Sequence, residues 1–279
     1  MIFSSNVKVN IGLFIKSVRS DGYHNISTIF QELNIGDSID IQKTNSQFMI
    51  KSNNDNVPLG KSNTCYKAFY LLKKLYPKKI KGLSINLIKK IPPGTGLGAG
   101  SSNGATILKA ISQIYELNIN YKKLERLAAT FSADAPFFIR GKTQIGSGIG
   151  DILKNISKPF HGPFLIVIPK FKIKTKWAFE KLKNQLNNKY TNHNIDSVLD
   201  KKNLSKNTKL FENDFERIVI PTYPEIGNIK NKLIELGAIY SSLSGTGSTV
   251  FGVFNDESSA KEAELFFQNK HLTYLTYPI

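Results

Sequence analysis

Residues 92–104 read PPGTGLGAGSSNG, a stretch with five glycines in which nearly all the other side chains are small. Glycine has no Cβ atom, so its backbone can come close to a ligand, and successive amide N–H groups can point at one anion. The residue types and spacing of this glycine-rich segment therefore predict a main-chain cradle for a phosphate group.

The elements on either side of the segment fit the same chemistry. Residues 84–91 alternate apolar and polar side chains, which predicts a strand, and residues 105–117 place Ile107, Leu108 and Ile111 at helical spacing. The N-terminus of a helix has free amide groups and the positive end of the helix dipole, and both attract anions. The sequence thus predicts a binder of a nucleoside triphosphate or another polyphosphate.

Other glycine motifs compete with this interpretation. An ordinary P-loop is excluded, because no lysine follows Gly100 before Lys109. Residues 94–99 match the dinucleotide fingerprint, but a second predicted helix follows them where a parallel strand is expected. Residues 100–104 match the hydrolase elbow with Ser102 as nucleophile, but the predicted strand ends at Ile91 and does not run into the serine. A simple turn of small residues also remains open.

Several ionisable side chains outside the segment could do chemistry. Lys8 and Asn10 share the less apolar face of a predicted strand over residues 7–15, where Lys8 is either catalytic or a structural lysine that snorkels or pairs with an acid. Asp134, before Ala-Pro, is a candidate base or a turn residue. His24 is a ligand, a base or a turn residue. No pair of histidines or acids has metal-ligand spacing, so we expect no metal site built by the protein.

The remaining pattern predicts an alternation of strands and helices. We expect strands at residues 38–42, 48–51, 164–168, 239–243 and 249–254, and a turn followed by a short strand over 132–141. We expect helices at residues 63–75, 121–131, 224–237 and 258–269. Residues 184–209 are rich in Asn and Lys and are the least structured part. A shift to Pro, Lys, Ser and Gly near residues 154–163 predicts two domains, 1–156 and 157–279.

Composition narrows the class of protein. With 279 residues and 41% hydrophobic content the chain can form two ordinary domains, and its single cysteine excludes an intramolecular disulfide and a thiolate metal cluster. The absence of a leader pattern and of a long apolar run predicts a cytoplasmic protein. The net charge of +17 rests on scattered lysines, which indicates a drift in residue usage more than a nucleic-acid surface, although it would attract an anionic substrate.

Four segments together resemble one superfamily. The glycine-rich segment resembles the phosphate loop of the GHMP kinases, and KVNIGL from Lys8 and LSGTG from Leu243 are similar to the first and third motifs of that superfamily. DGYH from Asp21 resembles the signature of its branch that acts on a cytidine diphosphate polyol. The segments occur in the expected order, and the similarity covers nearly the whole chain.

The resemblance implies an α+β, two-domain GHMP kinase fold, with a ribosomal-protein-like N-terminal domain, a ferredoxin-like C-terminal domain and an active-site cleft between them. It implies an ATP-dependent small-molecule kinase on the methylerythritol phosphate route to isoprenoids, acting on a cytidine diphosphate polyol without nucleic-acid or membrane partners, as a monomer or homodimer. Two alternatives stay open. One is a homoserine or mevalonate kinase of the same superfamily, and the other is a basic nucleic-acid-binding protein on this fold.

The resemblance also assigns site residues. Catalysis would fall to Lys8 and Asp134, with Lys8 keeping Asp134 ionised. ATP would contact Pro92, Pro93, Gly94, Thr95, Gly96, Leu97, Gly98, Ala99, Gly100, Ser101 and Ser102, with Asn63 near the adenine. The substrate would contact Asn10, Tyr23, His24, Phe179, Gly245 and Thr246. Mg²⁺ would arrive with ATP and meet Ser101 or Ser102, without assigned protein ligands.

Overall fold

The computed structural model describes residues 1–45, 47–158, 160–186, 195 and 211–279. These residues form two compact units whose segments alternate along the chain. The first unit comprises Met1–Val7, Ile35–Pro93 and Gly98–Gly141, and the second comprises Lys8–Asn34, Gly94–Leu97 and Lys142–Ile279. The two continuous ranges predicted from sequence, with their boundary after residue 156, stay a prediction.

Two long strands begin the chain and contribute residues to both units. They are β1 (Ile2–Val18) and β2 (His24–Thr44), which pair with each other. In the first unit, β4 (Gly82–Ile88) pairs antiparallel with the end of β2, from Ser38 opposite Ile88 to Thr44 opposite Gly82. β3 (Met49–Ser52) pairs with β4 in parallel.

Four helices complete the first unit: α1 (Thr64–Leu75), α2 (Ala99–Ile114), α3 (Tyr121–Ala129) and α4 (Phe137–Arg140). Asn63 and Asn120 cap α1 and α3, because each side-chain oxygen accepts a first-turn amide hydrogen bond. Gly104 of α2 has no space for a side chain, since a Cβ atom there would lie 2.8 Å from Cβ of Thr64. This last glycine of the glycine-rich segment therefore serves helix packing.

The second unit holds β5 (Thr143–Ser147), β6 (Ile152–Asn155), β7 (Phe164–Ile168), β8 (Tyr240–Leu243), β9 (Val250–Val253) and β10 (Leu272–Thr276). β5 pairs with the first part of β2 and with β6, and the last four strands form an antiparallel sheet in the order β10-β7-β9-β8. Its helices are α5 (Thr175–Leu186), α6 (Glu216–Thr222), α7 (Pro224–Glu235) and α8 (Glu257–Phe267). Their apolar faces share one core with β7, β9 and the middle of β1.

Most predicted elements are present, with three differences. The short strand expected within residues 132–141 is wrong, because Phe137–Arg140 is helical, and periodicity alone cannot separate a strand from a helix in so short an apolar run. α2 begins at Ala99 and not at residue 105, so part of the glycine-rich segment is helical. β1 and β2 extend well beyond the predicted strands.

The Asn/Lys-rich stretch falls mostly outside the described residues, apart from the end of α5 and Ile195. Within the described part of the chain, no helix combines the length and apolarity that crossing a membrane requires.

Candidate active site

The glycine loop (residues 92–98) leads directly into α2. Gly94, Gly96 and Gly98 have φ values of +77°, +87° and +69°, in the left-handed region that favours glycine. Gly98 is the N-cap residue of α2 and has no side chain with which to cap the first-turn amides. Those amides and the positive helix end are thus available to an anionic ligand, which fits the predicted phosphate cradle.

Residues Gly94–Leu97 lie in the second unit between β1 and the turn that joins β8 to β9. The Leu97 carbonyl accepts from the Lys8 amide at 3.0 Å, and the Thr95 carbonyl accepts from the Thr249 amide at 3.1 Å. The Gly96 carbonyl accepts from Ser244 Oγ at 3.0 Å. A Cβ atom on Gly96 would lie 2.2 Å from the Ser244 carbonyl oxygen, so only glycine fits here.

Lys8 is buried beside this loop, with 3% of its surface exposed. Its Nζ donates to Asn10 Oδ1 at 2.6 Å and to the Gly96 carbonyl at 3.3 Å. Asn10 Nδ2 in turn donates to Thr28 Oγ1 at 3.0 Å, and Thr28 Oγ1 donates to the Gly12 carbonyl at 2.6 Å. Lys8 and Asn10 therefore share a face, as the alternation of β1 predicts, and the ammonium group is held against the glycine loop.

Asn213 holds the turn that carries Ser244 and Gly245. Its Nδ2 donates to the carbonyls of Leu243 and Gly245, both at 2.8 Å, and its Oδ1 accepts from the Phe215 amide at 3.0 Å. Nothing in the sequence marks Asn213, because it follows an Asn-rich stretch from which its residue type does not distinguish it. Its near-complete burial, at 2% exposure, is the signal that separates it.

Thr246, the other predicted substrate residue of this turn, is also buried. Its Oγ1 lies 3.3 Å from Thr175 Oγ1, so the two hydroxyl groups share a hydrogen bond. The turn is thus tied to the start of α5, and the contacts of Gly245 and Thr246 with a substrate stay predictions.

Two of the three residues predicted to hold the cytosine end of a substrate are in contact. The rings of His24 and Phe179 lie 4.7 Å apart and are tilted by 39°. Phe179 also packs edge-on against Phe215 at 4.8 Å, which fixes the aromatic ring within the second unit. Tyr23 is 59% exposed. Just before Tyr23 in the sequence, Arg19 and Asp21 form an ion pair at the surface. The guanidinium group lowers the pKa of the Asp21 carboxyl.

In the first unit, Asp134 lies half-buried in the turn before α4. Lys8 and Asp134 belong to different compact units, and their pairing stays a prediction. The Ser101 hydroxyl shares a hydrogen bond of 2.7 Å with the Ser132 hydroxyl. Ser102 is 2% exposed and its Oγ accepts from Ser5 Oγ at 2.9 Å, so it lacks the exposure that a nucleophile needs.

Asn63 is buried at the N-terminus of α1. Its Oδ1 accepts from the Cys65 amide at 2.7 Å, and its Nδ2 donates to the Pro58 carbonyl at 2.6 Å. Its contact with adenine stays a prediction. The neighbouring Cys65 thiol is fully buried, and desolvation raises its pKa to about 12.

The chemical groups at the glycine loop and α2 indicate whether the protein itself could bind the predicted Mg²⁺. Among the described residues, no group of three or more His, Cys, Asp or Glu side chains could hold a metal ion. The residues of the glycine loop and α2 offer amides and hydroxyl groups, which suit phosphate oxygens better than a bare cation. These donors fit the phosphate oxygens of a nucleotide, and an accompanying Mg²⁺ stays a prediction.

Comparison with protein families gives matches in both halves of the chain. Residues 63–142 match the model described as the GHMP kinases N terminal domain, and residues 176–272 match the GHMP kinases C terminal model. The first match contains Asn63, the glycine loop and Asp134, and the second contains Phe179 and the Ser244 turn.

Curated relatives match over most of their length. A 4-diphosphocytidyl-2-C-methyl-D-erythritol kinase of Thermodesulfovibrio yellowstonii is 38% identical over 268 residues, which cover 94% of this chain and 92% of the relative. The kinase of the same name from Chlorobium chlorochromatii is 35% identical over 260 residues, which cover 92% of this chain and 89% of the relative.

Solved structures agree. A crystal structure of 4-(cytidine 5'-diphospho)-2C-methyl-D-erythritol kinase superposes with a TM-score of 0.86 at 26% identity, covering 100% of this chain and 99% of that one. The mevalonate kinase of Methanococcus jannaschii gives a TM-score of 0.77 at 19% identity, with 100% and 98% coverage, which supports the fold alone.

Proposed function

This chain belongs to the GHMP kinases and, within them, to the 4-diphosphocytidyl-2-C-methyl-D-erythritol kinases, and from that premise we propose the reaction that its site performs. The enzyme transfers the γ-phosphoryl group of ATP to the 2-hydroxyl group of 4-diphosphocytidyl-2-C-methyl-D-erythritol, and the products are the 2-phosphate and ADP. The reaction is a step of the methylerythritol phosphate route to isoprenoids.

One geometric observation carries the proposal beyond the family match. Three left-handed glycines turn the chain into the uncapped N-terminus of α2, and the carbonyl of the middle one, Gly96, accepts from the buried Lys8 ammonium group. The loop thus binds a cation at its middle glycine and ends at free amides and the positive end of a helix dipole. This is the electrostatic environment that a triphosphate tail requires.

Phosphoryl transfer depends on positioning and on stabilising negative charge. The acceptor oxygen attacks the γ-phosphorus, the bond from phosphorus to the bridging oxygen breaks, and the electron pair leaves with ADP. Asp134 orients the hydroxyl group and accepts its proton. Lys8 donates to an oxygen of the transferring group and stabilises its negative charge. Asn10, whose Oδ1 accepts from Lys8, orients the ammonium group.

The cytidine end of the substrate needs an aromatic surface and hydrogen-bonding groups. The His24 and Phe179 rings are in contact and are backed by Phe215, which supports a stacking site for a pyrimidine. Tyr23 lies next to His24 and is exposed enough to close over the base.

Mg²⁺ bound to ATP would neutralise part of the phosphate charge, and the Ser101 hydroxyl is the protein group that would meet it in this proposal. A cytoplasmic location, action as a monomer or homodimer, and the absence of nucleic-acid partners stay predictions.

ADP release measured with three alcohols tests the function. We expect turnover with 4-diphosphocytidyl-2-C-methyl-D-erythritol and none above background with mevalonate or homoserine.

Asp134→Asn should lower kcat by about 10²-fold or more, since a positioned general base contributes a factor of about 10²–10⁴ to the rate, while ATP binding persists. Turnover of mevalonate or homoserine without use of the cytidine substrate would reject the proposal, and near-normal kcat in Asp134→Asn would reject the role of that residue.

A further inference from the structure

An ion pair is buried in the first unit, close to the glycine loop. The Asp37 and Lys89 side chains are 0% and 3% exposed, and Lys89 Nζ donates to Asp37 Oδ2. Burying two charges costs desolvation free energy that their attraction does not reliably repay, and apolar replacements of such pairs are often neutral or stabilising. Stability alone is therefore a weak explanation for this pair, and its other contacts indicate what it does.

Asp37 holds the chain where it enters the glycine loop. Its Oδ1 accepts from the backbone amides of Lys90 at 2.9 Å and Ile91 at 3.1 Å, the two residues after Lys89. The next residue, Pro92, begins the loop. One carboxylate oxygen thus fixes the direction in which the chain leaves β4.

The other oxygen of the same carboxylate reaches the chain beyond the loop. Asn103 Nδ2 donates to Asp37 Oδ2 at 2.9 Å and to Ser5 Oγ at 2.8 Å, and Asn103 Oδ1 accepts from Lys89 Nζ at 3.3 Å. Ser5 Oγ then donates to Ser102 Oγ at 2.9 Å. Asn103 and Ser102 lie in the first turns of α2, so these bonds fix its N-terminus.

We propose that Asp37 is a positioning residue for nucleotide binding, which clamps the entry and the exit of the glycine loop with one carboxylate. Lys89, Asn103 and Ser5 complete the clamp. It sets where the first-turn amides of α2 point and so how the ATP phosphates are held. This inference rests on the proposed function, because it takes ATP as the ligand of the loop.

The main test is the double variant Asp37→Asn with Lys89→Met, which removes both charges. The asparagine oxygen can still accept the Lys90 and Ile91 amides, but its NH₂ group cannot accept from Asn103 and Lys89 as Oδ2 does, so both of these hydrogen bonds of the carboxylate are lost. We expect a Tm near that of the wild type, and kcat/KM for ATP lower by about 10- to 100-fold, since small misplacements cost up to about 10²-fold. KM for the alcohol substrate should not change.

Hydrogen exchange gives a readout that is independent of turnover. Amides of residues 92–104 should exchange faster in the double variant than in the wild type. Leu72→Ala is the matched control, because Leu72 is buried in α1 and makes none of the clamp's hydrogen bonds. It should lower Tm without changing KM for ATP or exchange in the loop. A purely structural role for Asp37 would give the double variant the same profile as this control.

Ser5→Ala is a milder variant that leaves the ion pair intact and cuts the link to Ser102. It should raise KM for ATP by a smaller factor, and it decides the matter if the double variant does not fold. ATP kinetics and loop exchange within twofold of the wild type, in whichever variant folds, would overturn the inference. If the wild type phosphorylates no alcohol, the proposed function fails, while ATP binding and hydrogen exchange still test the clamp.

Discussion

At the scale of single residues, Lys8 combines burial, charge and contact with the glycine loop. A buried ammonium group is costly unless hydrogen-bond acceptors surround it, and Asn10 Oδ1 and the Gly96 carbonyl are two such acceptors. The same environment would place the charge next to a transferring phosphoryl group, where water cannot screen it.

Lys8→Met should therefore lower kcat while the protein remains folded. Methionine keeps the length and apolar stem of the side chain and removes the charge. We expect a loss of about 10²- to 10³-fold, as for removal of one donor to a charged transition state. Lys16→Met, on the same strand β1, is the control and should keep near-normal kcat. Steady-state kinetics measures both, and equal kcat values for the two variants would contradict the role of Lys8.

Burial makes the thiol group of Cys65 unreactive, and this residue takes no part in the proposed reaction. Desolvation raises the pKa of its thiol to about 12, so the thiolate, which is the reactive form, is scarce up to pH 9 or so. We expect iodoacetamide to leave the folded protein unmodified at pH 8 and to label Cys65 after denaturation, as mass spectrometry would show. Rapid labelling of the folded protein would show that the thiol is accessible.

At the scale of elements, the loop between β4 and α2 depends on close approach of two backbone segments. Gly96 has φ +87°, and a Cβ atom there would overlap the Ser244 carbonyl oxygen. Gly96→Ala should lower the free energy of unfolding by about 1–3 kcal/mol, the cost of a strained left-handed residue. It should also lower kcat/KM for ATP by about 10²-fold through displacement of the loop.

Gly60→Ala is the matched control for that prediction. No atom lies within 4 Å of a Cβ built there, and its φ is not in the left-handed region. The free energy of unfolding of this variant, from denaturant titration, and its kcat/KM for ATP should both stay close to the wild-type values. Gly96→Ala with wild-type stability and kinetics would show that the loop tolerates a side chain.

The local elements were largely predictable from sequence, and long-range contacts were not. Alternation in β1 placed Lys8 and Asn10 on one face, and the glycine spacing located the loop, because both signals lie within a few consecutive residues. The helix at Phe137–Arg140 was mistaken for a strand for lack of enough residues to show a period. Asn213 and Asp37 bind main-chain groups, which any residue type supplies, so no sequence pattern marks their partners.

At the scale of the whole molecule, the formal net charge of +17 sets a field for anionic ligands. Both proposed substrates carry phosphates, and salt screens long-range attraction between charges, with a Debye length of about 10 Å at 0.1 M. Raising KCl from 50 to 500 mM should therefore raise KM for each substrate by several-fold with little change in kcat. A KM that does not depend on salt would contradict the effect. Tight binding of single-stranded or duplex nucleic acid at physiological salt would favour the alternative nucleic-acid function.

The clamp around Asp37 also constrains how the protein is made. Its members extend from Ser5 to Asn103, a separation of 98 residues, and the ribosome delivers them in that order. Because translation proceeds from the N-terminus and distant contacts must wait for their partners, the nucleotide cradle cannot take its final shape until α2 has left the exit tunnel. A nascent chain arrested after Lys89 but before Asn103 has emerged would contain β1, β2 and both residues of the ion pair, yet it would lack the ordered cradle.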